Sequence, residues 1–150
     1  MGTDTRLFKN EKLMQFAVSS TTDGSIVLTN SEGNSYFNIG DVDWSRIIIE
    51  YNLVISGGSS PVVRCTGLTS CSNVRPVATT SDIQALQSDG STVFRTGSIS
   101  ATGIGNVATA ISSTSAAASN IGKWFGVMLE KVSGTLGTIT GNVTVYVKGK

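Results

Sequence analysis

From Ser45 to Ile55 the chain alternates with a period of two. Ile47, Ile49, Tyr51, Leu53 and Ile55 project to one side, and Arg46, Ile48, Glu50, Asn52 and Val54 to the other. A pleated strand separates these two sets, whereas a helix would bring together positions three and four apart. Burying aliphatics of this kind contributes roughly 1.5 to 3 kcal/mol each, which marks the segment as the central strand of a core. It runs out at Ser56-Gly57-Gly58-Ser59-Ser60-Pro61, where glycine permits positive φ and proline cannot donate to a ladder. Val62 to Thr66 is then expected to return as its neighbour. A second unit repeats the design: Trp124 to Val132 alternates, Ser133-Gly134-Thr135 turns, and Val143, Val145 and Val147 form one face of a closing strand. Two similar hairpins contributed to two sheets are what a sandwich requires.

Shorter strands with polar turns fill the rest. Ile26 to Thr29 follows Asp23-Gly24, Tyr36 to Ile39 follows Glu32-Gly33-Asn34, and Asp89-Gly90 separates Ile83 to Leu86 from Thr92 to Arg95. Turns at about this spacing are the rhythm of sandwiches and barrels. Residues 97–121 are Gly, Ser, Ala and Thr with Ile99, Ile104, Val107, Ile111 and Ile121 thinly spaced. A strand-loop-strand is expected there, with a short helix through Ala116 to Ala118 or an extended loop as alternatives. The first 20 residues gather Leu7, Phe8, Leu13, Met14 and Phe16 among charges. They read either as a first strand, Leu13 to Val18, or as an arm whose apolar residues contact a neighbouring subunit. The expected fold is all-β: a single antiparallel β-sandwich or jelly-roll-like domain over 21–150, with 1–20 as N-terminal arm or first strand.

Composition narrows the function. At 150 residues and 15.6 kDa there is room for one domain, and only 14% of residues are charged, against the usual quarter or so. Serine and threonine take the place of charge. The 11 basic residues are scattered and the net charge is +1, so no phosphate backbone is attracted and nucleic acid is not an expected partner. No apolar run reaches the length of a membrane span, and Asp4, Arg6, Lys9, Glu11 and Lys12 occupy the place of a signal peptide's apolar core. Neither a membrane nor an export signal is expected, and Arg6 breaks the myristoylation pattern that Met1-Gly2 begins. Cys65 and Cys71 either bridge a tight loop or stand as free thiols; the second reading fits a chain without an export signal. With no histidine in the sequence, a zinc site lacks ligands.

The candidate chemical sites fall away in the same manner. Gly103-Ile104-Gly105-Asn106-Val107-Ala108 spells a dinucleotide fingerprint, but that motif needs a buried strand before it and a helix after it. Lys123 stands about where the ribose-binding acid would be, so these read as turn glycines. Asp41-Val42-Asp43, with Asp82 or Asp89, offers carboxylates to calcium and otherwise reads as a polar lead into Trp44. No histidine activates a serine, and the carboxylates of Glu50 and Glu130 read as solvated strand residues. No catalytic residue, metal or cofactor is expected. Trp44, Tyr51, Trp124 and Tyr146 would stack on sugars if exposed, but core packing is the expected role. Asn142-Val143-Thr144 is a glycosylation sequon by spelling alone.

Taken together, the strand Ile47 to Ile55 with its Ser-Gly-Gly-Ser-Ser-Pro turn and the strand Trp124 to Lys131 with another Ser-Gly turn carry a likeness. Over residues 44–66 and 122–148 the chain resembles the small β-sandwich accessory proteins of tailed-bacteriophage virions, particularly capsid decoration or cement proteins. That resemblance implies a non-enzymatic viral structural protein, located in the virion, that sits on an assembled head and bridges capsid subunits. It implies the major capsid protein or another virion protein as partner, and a homo-oligomer, dimer or trimer. The rival reading is a carbohydrate- or receptor-binding module of a phage fibre or tail, which would place at least two aromatics on one exposed face.

Overall fold

A computed structural model describes residues 11–39, 44–77, 84–85, 93–110 and 123–149. Every regular element among them is a strand: β1 (Glu11–Ser20), β2 (Ile26–Val27), β3 (Tyr36–Asn38), β4 (Trp44–Ser56), β5 (Ser59–Ser70), β6 (Gln84–Ala85), β7 (Gly103–Ala110), β8 (Trp124–Thr135) and β9 (Thr138–Gly149). They form two antiparallel sheets. Sheet I has the order β1-β9-β4-β7, and sheet II the order β2-β8-β5-β6, with β3 also paired to β8. The fold is an all-β sandwich.

The alternation in β4 lies as the sequence implies. Ile47, Ile49 and Leu53 are fully buried, and Glu50, Asn52 and Val54 are exposed. Facing them across the sandwich are Val63 and Cys65 of β5 and Phe125, Val127 and Leu129 of β8, while Val143, Val145 and Val147 of β9 complete sheet I's inner face. One continuous core results.

The expected hairpins are not hairpins. β4 pairs with β9 and β7, and β5 pairs with β8 and β6, so the Ser56–Ser59 link carries the chain from one sheet to the other. The same holds for β8 and β9. Pairing of 44–70 with 124–149 is nearly continuous, from Trp44↔Gly149 to Ser56↔Thr138 and onward from Ser59↔Thr135 to Ser70↔Trp124. Two further chain segments follow the same course. β1 pairs β9 in sheet I, and β2 and β3 pair β8 in sheet II. On the other flank β7 pairs β4, while Ile99 and Arg95 bridge Val63 and Thr66 of β5. The sandwich is therefore one antiparallel four-lane sheet folded in half, and each lane crosses the crease once.

A crease this sharp brings backbones together. A Cβ on Gly137 would lie 2.6 Å from Gly57 C and Gly58 N, and Gly58 itself sits at φ +73°, in the left-handed region that glycine enters freely. Polar side chains tie the outer lanes down. Asp23 Oδ1 accepts from Leu136 N (2.9 Å) and pairs with Lys131 Nζ (2.7 Å), and these contacts hold its carboxyl below the usual range. Ser25 Oγ accepts from Lys131 N at 2.9 Å, and Thr102 Oγ1 from Ile55 N at 3.1 Å.

Other expectations resolve here. The Gly103–Ala108 fingerprint lies inside β7, so its glycines are strand residues and the turn reading is wrong; Gly105 makes room for the Tyr51 ring. Of the 97–121 tract, 103–110 is strand, and residues 111–122 lie outside the described residues, as do Asp41, Asp43, Asp82 and Asp89. Cys65 and Cys71 are free. Cys65 is in the core, where desolvation pushes its thiol up to about 12.

Two measurements check this geometry. Gly137→Ala is expected to lower stability in urea unfolding by about 2 to 4 kcal/mol. Gly97→Ala, where an added carbon meets nothing within 4 Å, should shift it by less than about 0.5 kcal/mol. In the native protein a thiol reagent such as Ellman's is expected to modify the exposed Cys71, with Cys65 reacting only on unfolding, because the thiolate is the reactive form.

Candidate protein-contact face

The two outer faces of the sandwich meet solvent differently. On sheet II the chain covers itself. Tyr36 lies over Gly126, its partner in the ladder, where a Cβ would come within 2.7 Å of two ring carbons. Tyr36, Leu68 and Trp124 form a second apolar cluster against Val27 and Met128, with Tyr36 0% and Trp124 7% exposed. The segment after β5 caps it. Trp124 Nε1 donates to the Ser72 carbonyl at 2.9 Å, and the Arg75 guanidinium stands 5.5 Å from the ring centroid.

Beside this cap is the turn 29–35, which loops out between the adjacent pairings Leu28–Val127 and Tyr36–Gly126. Asn30 Oδ1 accepts from the amides of Glu32 (3.0 Å) and Asn34 (2.9 Å), an Asx arrangement that closes the loop locally. Between turn and cap is a cavity of about 290 Å³ lined by Thr29, Asn34, Ser35, Arg75 and Val77.

Farther along sheet II, Arg64 and Glu130 face each other across β5 and β8 in a two-pronged ion pair. Nε donates to Oε2 at 2.9 Å and Nη2 to Oε1 at 2.8 Å, and the Thr66 hydroxyl donates to Oε2 at 2.8 Å. The Arg64 hydrogen bonds, aided by Thr66, outweigh partial burial and hold the Glu130 carboxyl down at about 2. Glu130 is thus a paired residue and the solvated reading fails for it. Glu50 is exposed on sheet I, and these two carboxylates sit on opposite outer faces.

Sheet I is open. Its outer face shows Gln15, Ala17 and Ser19 from β1, Thr140, Asn142 and Tyr146 from β9, Ile48, Glu50, Asn52 and Val54 from β4, and Ile104 and Asn106 from β7, with Thr144 of β9 in the same register but buried. Hydroxyls and amides dominate, and Glu50 with Lys12 at one corner are the charges among the described side chains. Ile48 stands opposite Tyr146, both partly exposed. Val54 is 47% and Ile104 74% exposed. Depletion of charge around exposed aliphatic and aromatic groups is the composition of interface centres.

The five arm candidates separate. Phe16 is fully buried in the chain's own core and is unavailable to a partner, while Leu13 and Met14 pack partly against that core from β1. Leu7 and Phe8 lie outside the described residues. Trp124 is a packing residue, and Tyr51 leans on the core from β4. The outer face of sheet I escaped the sequence reading, although its polar set alternates with the core set of β4 and was half in view. No helix among the described residues is long and apolar enough to cross a membrane.

The ion pair yields a pH test. Because Glu130 falls from an ordinary 4.5 to about 2 on folding, its contribution is full at neutral pH and is lost as pH drops from about 4.5 through 2. Glu130→Gln is expected to cost about 1 to 2 kcal/mol at pH 7, with the gap to the parent protein closing at pH 2 in urea titrations. No protein-family model matches the chain and no curated protein matches it, so the chemistry of this open face carries the functional reading.

Proposed function

We propose that the protein is a non-enzymatic structural component of a tailed-phage virion that docks on the assembled head through the outer face of sheet I and bridges capsid subunits. The observation that carries this reading is the asymmetry of the two outer faces. Among the described residues, sheet II is covered by its own turn and cap, whereas sheet I offers a broad surface of hydroxyls and amides with Ile48, Tyr146, Val54 and Ile104 partly or fully open to solvent. Four strands about 4.8 Å apart and roughly 30 Å long make a face of about 600 Å². That is of the order of the 800 Å² or so that each partner supplies to a standard interface.

The contact chemistry follows from the residues. Asn52, Asn142 and Thr140 pair with backbone or side-chain groups of the shell, while the aliphatics exclude water around them. The sugar-reading alternative loses support from Trp124 and Tyr36, which lie under the cap and give no aromatic platform on sheet II.

Co-sedimentation with capsid shells tests the proposal. Asn52→Lys and Val54→Glu, both at exposed positions, are expected to leave the thermal melt within about 2 °C and reduce shell binding at least about tenfold. Val77→Glu, exposed beside the cavity on sheet II, should bind as the parent does. Shell binding that survives both sheet I changes, or that is lost with Val77→Glu, overturns the assignment of the face.

A further inference from the structure

We propose that β7 is a self-association edge, where a second copy of the chain pairs its own β7 antiparallel to this one about a two-fold axis and joins the two copies of sheet I into one eight-stranded sheet. An edge strand carries a row of backbone donors and acceptors that invite another strand, and folded chains blunt such edges with charges, bulges, prolines or interruptions. Three of the four edges here are blunted. β1 carries exposed Lys12 and a register break between Lys12 and Met14. β2 and β3 are short pieces separated by the turn 29–35, and the β5 flank is covered by two-residue β6 and isolated bridges at Arg95 and Ile99.

β7 has none of these devices. Gly103–Ala110 pairs β4 through eight residues without a register shift, contains no charge and no proline, and ends sheet I with no strand beyond it among the described residues. The missing charge also says which occupant fits. A two-fold axis lays the strand against its own sequence, so a charge on it would face or adjoin its like, and an uncharged strand escapes that cost.

The register can be placed as well. For the outer faces of both copies to stay on one side, residues of equal parity must oppose, and centring the pair on Asn106 overlaps Gly103 to Thr109. Asn106 is exposed on the outer face and carries both a donor and an acceptor. It is therefore complementary to the second copy's Asn106. Ile104, two residues away and 74% exposed, comes to within a strand spacing of the second copy and loses water contact. The joined sheet doubles the open face, yet the pairing needs no shell and stands apart from the docking assignment.

Sedimentation equilibrium of the intact purified chain over a wide concentration range tests this. The parent is expected to show a monomer–dimer equilibrium. Asn106→Lys and Asn106→Asp, each alone, should weaken the dimer at least about tenfold while keeping the parent's thermal melt. An equimolar mixture of the two should recover dimer, with recovery falling as salt rises. Gln15→Lys on the β1 edge should dimerise as the parent does. A chain that is monomeric at every concentration overturns the proposal and leaves the edge to a strand of another protein. So does an assembly larger than a dimer, a mixture that stays monomeric, single variants that dimerise as the parent does, or a dimer lost with Gln15→Lys.

Discussion

Backbone hydrogen bonding across the crease is the constraint on which this sandwich depends. A β-ladder that changes sheets must keep its amides and carbonyls paired on both sides of the bend, because a buried orphan costs about 1 to 3 kcal/mol. Here the pairing stops at Ser56↔Thr138 and resumes at Ser59↔Thr135. The gap is short because Gly57, Gly58 and Gly137 let the two chains touch backbone to backbone where side chains would keep them apart. The flanking lanes use side chains where glycine is absent. Asp23, Ser25 and Thr102 each accept from an amide of a neighbouring lane and tie the crossings together.

Once the crease is set, the remainder follows in register. Each lane puts its inward set into the space between the halves, so Phe16, Ile49, Val63, Phe125 and Val145 arrive in one core from five strands. Crossing in the same lateral order in both sheets leaves the lanes antiparallel throughout, and no strand has to thread past another. The far ends of the lanes then carry the connections. One of these, the segment after β5, doubles back over Trp124 and closes the outer face of sheet II.

That closure makes the two outer faces unequal. Sheet II spends its outward positions on internal contacts: Tyr36 over Gly126, the Trp124 cap, and the Arg64–Glu130–Thr66 group. Sheet I keeps its outward hydroxyls, amides and few aliphatics for something else. Its described outward residues are mostly hydroxyls, amides and aliphatics on a flat four-stranded surface.

Strand class and facing were legible in the sequence because they are local. Period-two alternation in Ile47–Ile55 and in Val143–Val147 assigns each side chain to core or solvent without knowledge of any partner, and the described residues bear that assignment out. Partner choice was not legible. Ser-Gly-Gly-Ser looks the same whether the next strand returns beside the first or crosses to the other sheet, since its local backbone freedom serves both. Which one occurs depends on residues 124–149 lying alongside 44–70 through the bend, a match between segments about 80 positions apart. The fate of Phe16 and the pairing of Glu130 with Arg64 were hidden for the same reason. Sequence by itself determined that this is an all-β chain with these inward residues. Tertiary structure alone decided which outer face the described residues cover, because coverage is set by where distant segments come to lie.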